Sequence, residues 1–599
     1  MFPLAACPAG LFCQMAAPFS GSFVWPAIVA ALPLVLLFVL LGVFKAPAWI
    51  SSIATLVLCI LLSILAWQIP VGASMAAMTE GLFFGLCQIM FLLVAALWVY
   101  NISVKLGWDR VLRDLLRSIT DDQRVLALII AFAFGSLIEG LAGFGTPVAI
   151  TTAMLIAAGV PKMKAVVACM LGDTAPVAFG SIGAPLTSLG STTFGHLVGI
   201  PATTSATTLS TVFGQMAGRQ SPFMAVIVAL FIVMVIDGKR GLKETWHVAI
   251  ACGVFFGIAQ FIASNFISYM ITDIIAAGFC LIMMLVLAKV LKPRQMLPTE
   301  GVNDDAEPLP AQSATGAYRI WGALAPYAII VVIFSLSQVP AIKSFLSTVP
   351  NPAHATDPTA AATLPRFGFT WPGLSGCHGV ATAAMNDSAT AAKALAASHC
   401  VNPAIDLYSI LSSGVLLTIS ALILTLVYWF SFRKSIAVLG RTIVNLRYTI
   451  ITIAAVLSIA YVMNSSGMTL SLGTALAATG AVFAFLSPVL GWLGVMLTGS
   501  DTSANALFGT MQVTAAQGVW AGSVPHQILM AASNSTGGVL GKMISPQSLS
   551  VAAAAAGMMN KEGDIFRKVL PWSLVLVIIL GIFVVLQATV WTGMIPAIP

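Results

Sequence analysis

The stretch "GSLIEGLAGFGTPVAI", residues 135–150, places a carboxylate at Glu139 among four glycines and a proline. The chain around it is strongly apolar, because 59% of its 599 residues are hydrophobic. Only 8% of the residues are charged, whereas soluble domains carry about 25%. An acid among helix breakers is costly in lipid, so this stretch decides both the fold and the search for function.

Continuous apolar runs of around 20 residues recur along the chain, and each is long enough to cross a ~30 Å hydrocarbon core as a helix. They include 24–44, 83–101, 222–236 with its flanks, 270–290, 318–338, 407–431 and 570–590. Because the runs are not alternating, they exclude a β-barrel. The sequence predicts an all-α polytopic membrane protein with 12–14 transmembrane helices. The net charge of +7 is interpreted as cytoplasmic loops and not as a nucleic-acid surface.

Basic residues are concentrated in alternate loops, which the positive-inside rule places in the cytoplasm. These loops are 102–124, 237–245, 289–319, 432–447 and 561–568. The loop 340–406 holds few basic residues and is predicted outside, together with both termini. An oxidising exterior would permit a disulfide between Cys377 and Cys400 in that loop. We predict a multi-pass protein of the cell (inner, cytoplasmic) membrane.

The chain contains two similar halves. "WVYNIS" (98–103), "GSLIEGLAGFGTP" and "GDTAPVAFGSIGAP" (172–185) parallel "YVMNSS" (461–466), "LTGSDTSANALFG" (497–509) and "NSTGGVLGKMISP" (534–546). The spacing from Asn101 to Glu139 is 38 residues, and that from Asn464 to Asp501 is 37. The charge map inverts one half relative to the other, which is typical of secondary transporters with a midplane site. Chance similarity between Gly- and Ser-rich membrane segments is the alternative.

The predicted organisation follows from these halves. The segments are N-terminal helices (1–82), inverted repeat 1 (83–236), connecting helices (237–295), a cytoplasmic linker (296–317), further connecting helices with the outer loop (318–445) and inverted repeat 2 (446–599). A Pro-initiated apolar helix is expected at Pro222 and at Pro571. Two broken or re-entrant helices per repeat would place four breaks around one polar pocket, since lipid cannot satisfy freed backbone groups.

The segments "IEGLAGFGTPVAI", "GDTAPVAFG", "GWLGVMLTGSDTSANALFG" and "GKMISPQS" resemble those of the lactate permease family. The resemblance extends over about 80–290 and 407–595, and it does not extend to the loop 340–406. It implies a proton-coupled carrier for L-lactate and related 2-hydroxy monocarboxylates such as D-lactate and glycolate. It does not indicate which of these anions is the physiological substrate.

Three of the 20 acids, Glu139, Asp173 and Asp501, lie deep in the repeats and are the candidate proton carriers. A carboxylate at the bilayer centre costs roughly 2.5 kcal/mol or more, which argues for a function. Asp173 and Asp501 could instead be helix N-caps, whereas Glu139 is a poor cap and is ranked first. Glu80 and Asp273 are interpreted as helix-end residues.

The predicted substrate-binding residues are polar or lie at the expected breaks, where helix N-termini suit an anion. They are Asn101, Gly143, Gly145, Thr146, Thr174, Asn464, Ser503, Asn505, Asn534, Ser535 and Lys542. Lys542 is either a snorkelling helix-end lysine or a counter-charge for Asp501 or for the substrate carboxylate. Asn101 and Asn464 are either helix C-caps or ligands.

No enzyme motif, cofactor or metal site is expected, because no serine elbow is found and the nine cysteines have no CxxC spacing. The predicted partners are a small organic anion, protons and the lipid bilayer. Coupling to Na⁺ is the main alternative to proton coupling, and a dicarboxylate is the main alternative substrate. An anion channel would explain the polar breaks but not the inverted repeat.

Overall fold

The computed structural model describes residues 13–14, 24–44, 46–108, 111, 120, 122–143, 145–201, 204–290, 317–338, 367–370, 379–380, 404–408, 413–558 and 561–599. Nearly all of the linker 296–317 and most of the loop 340–406 lie outside these residues. Cys377 and Cys400 are among the residues that are not described, so their disulfide stays a prediction.

The described chain is mainly helical. In the first half the helices are α1 (Val24–Phe38), α2 (Ala48–Leu65), α3 (Val71–Phe84), α4 (Phe91–Lys105), α5 (Gln123–Ala127), α6 (Gly135–Ala142), α7 (Thr146–Ala157), α8 (Lys162–Gly172), α9 (Gly180–Thr193), α10 (Ala206–Ile262) and α11 (Thr272–Val290). In the second half they are α12 (Ala317–Gln338), α13 (Ser413–Val427), α14 (Phe432–Asn445), α15 (Arg447–Ser466), α16 (Met468–Ala477), α17 (Phe483–Thr498), α18 (Asp501–Val519), α19 (Val524–Lys542), α20 (Pro546–Ala555) and α21 (Glu562–Thr589).

Shorter elements complete the chain. π-helical turns are found at Val39–Val43, Gly85–Met90, Leu128–Phe134 and Ala263–Ile267, and 3₁₀ turns at Val177–Phe179, Gly480–Val482 and Thr592–Met594. Four short strands, β1 (Cys13–Gln14), β2 (Phe367–Thr370), β3 (Gly379–Val380) and β4 (Ala404–Tyr408), form two pairs. β1 pairs with β3 in parallel, and β2 pairs with β4 in antiparallel register from Phe367↔Tyr408 to Thr370↔Ala404.

The predicted helical membrane protein is confirmed. Within the described residues, 8 helices are long and apolar enough to cross a membrane, or up to 9 if the bent pair Lys162–Gly172 and Val177–Thr193 forms one span. The candidate membrane span Ala206–Ile267 contains two helices joined by a kink at Gly238. This residue has φ 61° and ψ −146°, a backbone conformation that glycine adopts readily. The predicted 12–14 helices, the inverted repeats and the domain boundaries stay predictions.

Large apolar side chains cover the outside of the helix bundle. Val57, Ile282, Val286 and Ile578 are between 47% and 60% exposed, although they lie in the middle of long helices. An apolar surface of this kind is stable against lipid tails but not against water. Many polar side chains of the same bundle are buried, and Glu139, Asp173 and Asp501 among them lie beside helix breaks.

Within the described residues, helix breaks fall in all four segments in which the sequence predicted them. They are at 143–145, 173–183, 499–500 and 543–545. In the fourth segment, 534–546, the predicted helix terminus beside Ser535 was wrong, because α19 continues unbroken through Asn534 and Ser535 to Lys542. The predicted helix starts at Pro222 and Pro571 were also wrong, since both prolines lie inside helices, α10 and α21.

Helix α19 packs backbone to backbone against α17 along a glycine seam. A Cβ on Gly537 would overlap the carbonyl of Pro488, and a Cβ on Gly541 would overlap that of Trp492. On the other helix, a Cβ on Gly491 would overlap the carbonyl of Asn534. Small residues spaced by four allow such close approach of membrane helices. The seam therefore holds α19, and the polar side chains on its other face, in a defined place.

We expect Gly537→Ala to lower the stability of the protein by about 1–3 kcal/mol, because the added methyl group overpacks the seam. Gly278→Ala is the matched control, since its Cβ would meet no atom within 4 Å inside α11. The thermal unfolding midpoint of each purified variant is measured in detergent, with fluorescence-detected size exclusion as the readout. Equal midpoints for the two variants would contradict the seam.

Candidate functional site

Glu139 lies one turn before the first break, with its carboxylate above two glycines. A Cβ on Gly180 would stand 2.6 Å from Glu139 Oε1, and a Cβ on Gly143 would stand 3.0 Å from the same atom. Gly145 has φ 84° and begins the turn into α7. The glycines of the quoted stretch and of the second break therefore create the space in which this carboxylate is buried.

The two breaks of the first half meet at this carboxylate. In the second break, Ser181, Ile182 and Gly183 have positive φ values of 46°, 57° and 71°. The backbone N–H of Gly143 donates to Ser181 Oγ at 3.2 Å, so the hydroxyl of one break satisfies a donor of the other. Non-glycine residues in this conformation are strained and are found mainly at functional sites.

Lys542, from the opposite half of the chain, bridges two of the predicted proton carriers. Its Nζ lies 2.7 Å from Glu139 Oε1 and 3.2 Å from Asp173 Oδ2. Glu139 and Asp173 are each 3% exposed and Lys542 is 4% exposed. The snorkelling interpretation is therefore wrong, because the ammonium ends between two buried carboxylates and not at the surface.

Asp501 lies directly after the third break and has neutral hydrogen-bond donors. Its Oδ2 accepts from Ser535 Oγ at 2.6 Å and from Asn505 Nδ2 at 3.3 Å. Asn505 Nδ2 also donates to the carbonyl of Pro185 at 3.1 Å, next to the second break. The proposed pairing of Lys542 with Asp501 is not what the structure has, since the lysine pairs with Glu139 and Asp173.

One face of α19 carries the groups that contact both acid sites. Ser535, Gly538 and Lys542 follow one another at intervals of three and four residues, which places them on the same side of the helix. Ser535 contacts Asp501, and a Cβ on Gly538 would overlap the same carboxylate. Lys542 contacts Glu139 and Asp173. α19 therefore joins the acid sites of the two halves.

Asn534 belongs to this polar network but not to a helix terminus. Its Nδ2 donates to Asn505 Oδ1 at 2.9 Å, and its Oδ1 accepts from Gln512 Nε2 at 3.1 Å. The sequence placed Asn534 and Ser535 beside a broken helix, which is wrong because both lie in the interior of α19. Their contacts to Asn505 and Asp501 nevertheless bring them to the site.

The N-cap interpretation of the two aspartates is wrong. Asp173 follows the last residue of α8 and is its C-cap. Asp501 is the first residue of α18, whose N-cap is Ser500, and the Ser500 hydroxyl accepts from the Ser503 N–H at 3.3 Å. Neither carboxylate caps a helix N-terminus, so helix capping does not explain why the two aspartates are buried.

Two smaller predicted contributors use their polar atoms locally. The Thr174 hydroxyl donates to the carbonyl of Leu171 at 2.7 Å. The Thr146 N–H donates to the carbonyl of Gly143 at 3.4 Å, a long hydrogen bond across the break. The Gly143 carbonyl and the Thr146 N–H therefore close the first break on itself.

The structure does not bring the two predicted asparagines of the repeats into this cluster. Asn101 Nδ2 donates to Thr442 Oγ1 at 2.9 Å, on α14. Asn464 Nδ2 donates to the carbonyl of Thr192 at 3.3 Å, near the end of α9, and its Oδ1 accepts from Thr469. Neither of these hydrogen bonds involves an acid of the site.

Sequence reasoning missed two groups beside the site. Asp273 is 1% exposed, and neither of its carboxyl oxygens has a hydrogen-bond partner. Gln220 links three helices by donating to Ser533 Oγ at 3.1 Å and to Gln587 Oε1 at 2.8 Å, while accepting from Thr536. An acid in the first turn of the apolar run "TDIIAAGFC" was the signal for Asp273, but a helix-end role explained it equally well.

The site is closed and contains more acids than bases. Glu139, Asp173, Asp273 and Asp501 are 1–3% exposed, and Lys542 is the one cation in the hydrogen bonds and ion pairs described for them. Glu139 Oε2, Asp173 Oδ1 and Asp501 Oδ1 have no hydrogen-bond partner. Buried charges without partners are unstable in a low-dielectric interior. The arrangement can therefore bind protons, and it can bind an anion only where Lys542 is released from an acid.

Comparison with known proteins points to one family. A family model described as L-lactate permease matches residues 26–591. The glycolate permease GlcA of Escherichia coli (strain K12) is 36% identical over 593 residues, 97% of this chain and 99% of that protein. The L-lactate permease of Bacillus subtilis (strain 168) is 35% identical over 589 residues, 97% of this chain and 99% of that protein.

A solved structure is also similar, but only distantly. It is the crystal structure of the YdaH transporter of Alcanivorax borkumensis, with a TM-score of 0.39 and 14% sequence identity. The match covers 96% of this chain and 99% of that chain. A likeness at this level supports no statement about the function of this chain.

We expect Lys542→Met to destabilise the protein by about 3–5 kcal/mol, because two buried carboxylates lose their counter-charge. Adding Glu139→Gln and Asp173→Asn should recover much of the loss, since the uncompensated charges are then absent. The difference in stability between Lys542→Met and the wild type should also become smaller at lower pH, because the buried acids take up protons. Thermal unfolding midpoints of the single and triple variants test this. A triple variant no more stable than Lys542→Met would contradict it.

Proposed function

The chain belongs to the L-lactate permease family, and on that premise we propose that it imports L-lactate and related 2-hydroxy monocarboxylates by proton symport. Permeases are transporters and not enzymes. Relatives named for L-lactate and for glycolate support a substrate range that includes both anions. We propose D-lactate as a further substrate, because it is also a 2-hydroxy monocarboxylate. Because these relatives are bacterial, we place the chain in the cytoplasmic (inner) membrane.

The observation that carries the proposal is the position of Lys542 between Glu139 and Asp173, at 2.7 and 3.2 Å. In this state two carboxylates share one ammonium, so a third carboxylate would enter a site that already has one excess negative charge. A proton on Glu139 would remove one of the two attractions. The freed side of the ammonium could then pair with the carboxylate of lactate.

This exchange couples one proton to one anion. Before it, two carboxylates and one ammonium leave the group with one excess negative charge. Afterwards, neutral Glu139, ionised Asp173, the ammonium and the bound lactate carboxylate have the same total charge. An anion entering without a proton would add a second excess charge in a low-dielectric pocket, where repulsion is several kcal/mol. The proton is thus a condition for substrate binding.

Groups at the first break complete the proposed anion site. Gly143 lies beside the Glu139 carboxylate, and Gly145 leads into α7, which begins with the positive end of its dipole at Thr146. Polar residues with contacts around the second and third breaks are proposed to line the substrate pathway. They are Asn505, Asn534, Ser503, Ser535 and Thr174. One buried lysine suits a monocarboxylate better than a dicarboxylate, which would need a second cation.

The same lysine favours protons over Na⁺ as the coupling ion. A cation site between Glu139 and Asp173 would have to occupy the position that the Lys542 ammonium already holds. Protons can bind to the single free oxygens of the acids without displacing Lys542.

We further propose that the two halves are inverted repeats that move against each other. In each half the order of elements is the same: helix, break, helix, short turn, helix, break, helix and then a long helix. The breaks are 143–145 and 173–183 in the first half and 499–500 and 543–545 in the second. Since the acids and the lysine are buried, transport requires opening toward each side in turn. The charge map places both termini outside.

We expect Glu139→Gln to abolish proton-driven accumulation of lactate while lactate exchange continues. Glutamine mimics the protonated acid, and Lys542 keeps Asp173 as its partner. The measurement is radiolabelled L-lactate uptake into proteoliposomes, with pH and Na⁺ gradients imposed separately, beside lactate counterflow without a gradient.

The matched control is Glu80→Gln, which removes another buried acid, on α3. This control should accumulate lactate like the wild type. If Glu139→Gln still accumulates lactate against its gradient with normal pH dependence, the proton carrier is Asp173 or Asp501, and each is tested in the same way. Wild-type uptake driven by Na⁺ and not by pH would reject proton symport.

We expect glycolate and D-lactate to compete with L-lactate for uptake, whereas succinate competes at least about tenfold more weakly. A second carboxylate would be buried without a cation, and leaving a charge unpaired costs more than the ~1.4 kcal/mol that corresponds to a tenfold difference. Inhibition constants measured in the same proteoliposomes check this. Equal inhibition by succinate would favour the dicarboxylate alternative.

A further inference from the structure

Asp273 is a buried acid that the proposed exchange does not use. It lies in the first turn of α11 and is 1% exposed. Both of its carboxyl oxygens are buried without a hydrogen-bond partner. Each of the other three acids has at least one oxygen that is paired with Lys542 or with a polar side chain. An ionised carboxylate is unstable under these conditions, so this residue needs a proton or a partner from another state of the protein.

Asp273 packs directly against the segment that carries Glu139. A Cβ on Gly140, the residue after Glu139, would stand 3.2 Å from the Asp273 Cβ. The charged groups that face Asp273 are Glu139 on α6, Asp173 at the end of α8 and Lys542 on α19. Asp273 therefore belongs to the same electrostatic cluster, although the ion pairs described for the cluster do not include it.

The amide of Gln260, on α10, also faces Asp273. Gln260 Nε2 donates to the carbonyl of Ala175 at 3.2 Å, two residues after Asp173. Gln260 Oε1 and both Asp273 oxygens are buried acceptors without a donor in hydrogen-bond geometry. A proton on Asp273 supplies a donor and removes the buried charge at the same time.

We propose that Asp273 is a proton-relay residue that holds a proton in this closed state and transfers it to Glu139 during loading. This inference rests on the proposed function, because it concerns the path of the coupled proton. In the transfer, the Asp273 O–H bond breaks and a bond from the proton to Glu139 Oε2 forms. Asp273 is left ionised and takes its next proton from water when that side of the protein opens.

The position of Asp273 in the chain assigns the side from which it is loaded. The turn 268–271 joins the C-terminal half of α10 to α11, and Asp273 lies just after that turn. The basic segments 237–245 and 289–319 lie at the opposite ends of these two helices, so the positive-inside rule places the turn outside. Protons are thus delivered to Glu139 from the outer side, the side with the higher proton concentration during uptake.

The test compares Asp273→Asn with the wild type in proteoliposomes. Asparagine keeps the shape of the protonated acid but cannot release a proton. We expect the initial rate of lactate uptake driven by a pH gradient to fall about tenfold or more, as for the loss of a positioned proton-transfer group. Lactate counterflow, which needs no net proton movement, should stay within about twofold of the wild type. Proton entry, followed with a trapped pH dye, should fall with uptake.

Asp273→Glu is the rescue variant and Glu80→Gln the control for the loss of a buried acid. Asp273→Glu should restore part of the pH-driven rate, with a changed dependence on outside pH, whereas Glu80→Gln should behave like the wild type. Monodisperse elution and an unchanged melting midpoint show that each variant is folded. If Asp273→Asn does not fold, the pH profile of Asp273→Glu alone decides the question, and a profile identical to that of the wild type rejects the relay.

The outcomes separate the relay from the function on which it rests. Normal pH-driven uptake by Asp273→Asn would overturn the relay, and so would an equal loss of counterflow, which would indicate a role in substrate binding. A wild-type protein that does not take up lactate with a pH gradient would overturn the proposed function itself. The relay would be supported if Asp273→Asn loses pH-driven uptake but keeps counterflow, while Glu80→Gln loses neither.

Discussion

The structure depends on one buried ammonium that neutralises carboxylates contributed by another part of the chain. Lys542 and its partner Glu139 are separated by 403 residues, and each lowers the cost of burying the other as an ion. Removing a charge from water costs several kcal/mol, which a second charge and further hydrogen bonds must offset. This requirement brings the two halves of the chain together. It also explains why both halves contain helix breaks, since irregular backbone allows acids and glycines to approach a lysine from several directions.

Two sets of glycines, one beside Glu139 and one in the seam between α17 and α19, allow the acid and the lysine to meet. Gly143 and Gly180 make room for the Glu139 carboxylate, while Gly537 and Gly541 hold α19 against α17 so that Lys542 reaches it. Hydroxyl and amide groups satisfy part of the other buried polar atoms, as in the contact from Gly143 N–H to Ser181 Oγ. Lipid offers no such partners. The polar interior is therefore formed by backbone geometry as much as by the choice of polar side chains.

Sequence reasoning reached the helical membrane fold, the segments that contain the four breaks and three of the four buried acids of the site, because each has a local signal: apolar length, paired glycines or a charge in an apolar run. It did not reach the partner of Lys542, because an ion pair between the two halves of a chain has no local signature. It misplaced the fourth break, since the glycines at 537, 538 and 541 serve the seam and the approach to Asp501 and do not interrupt the helix. It left helix N-caps open as an alternative role for Asp173 and Asp501, because a cap and a buried acid have the same sequence signal beside a break. Asn101 had a matching repeat position but pairs with Thr442.

The bridging position of Lys542 also bears on which energy source of the cell such a carrier would use. If a proton and a lactate anion enter together at constant site charge, no net charge crosses the membrane with the substrate. The membrane potential, about 2.3 kcal/mol per elementary charge per 100 mV, then does no work on loading. Accumulation would follow the pH difference alone. A cell with a large voltage but a small pH difference would take up little lactate by this route, and the same carrier would release lactate when the interior became the more acidic side.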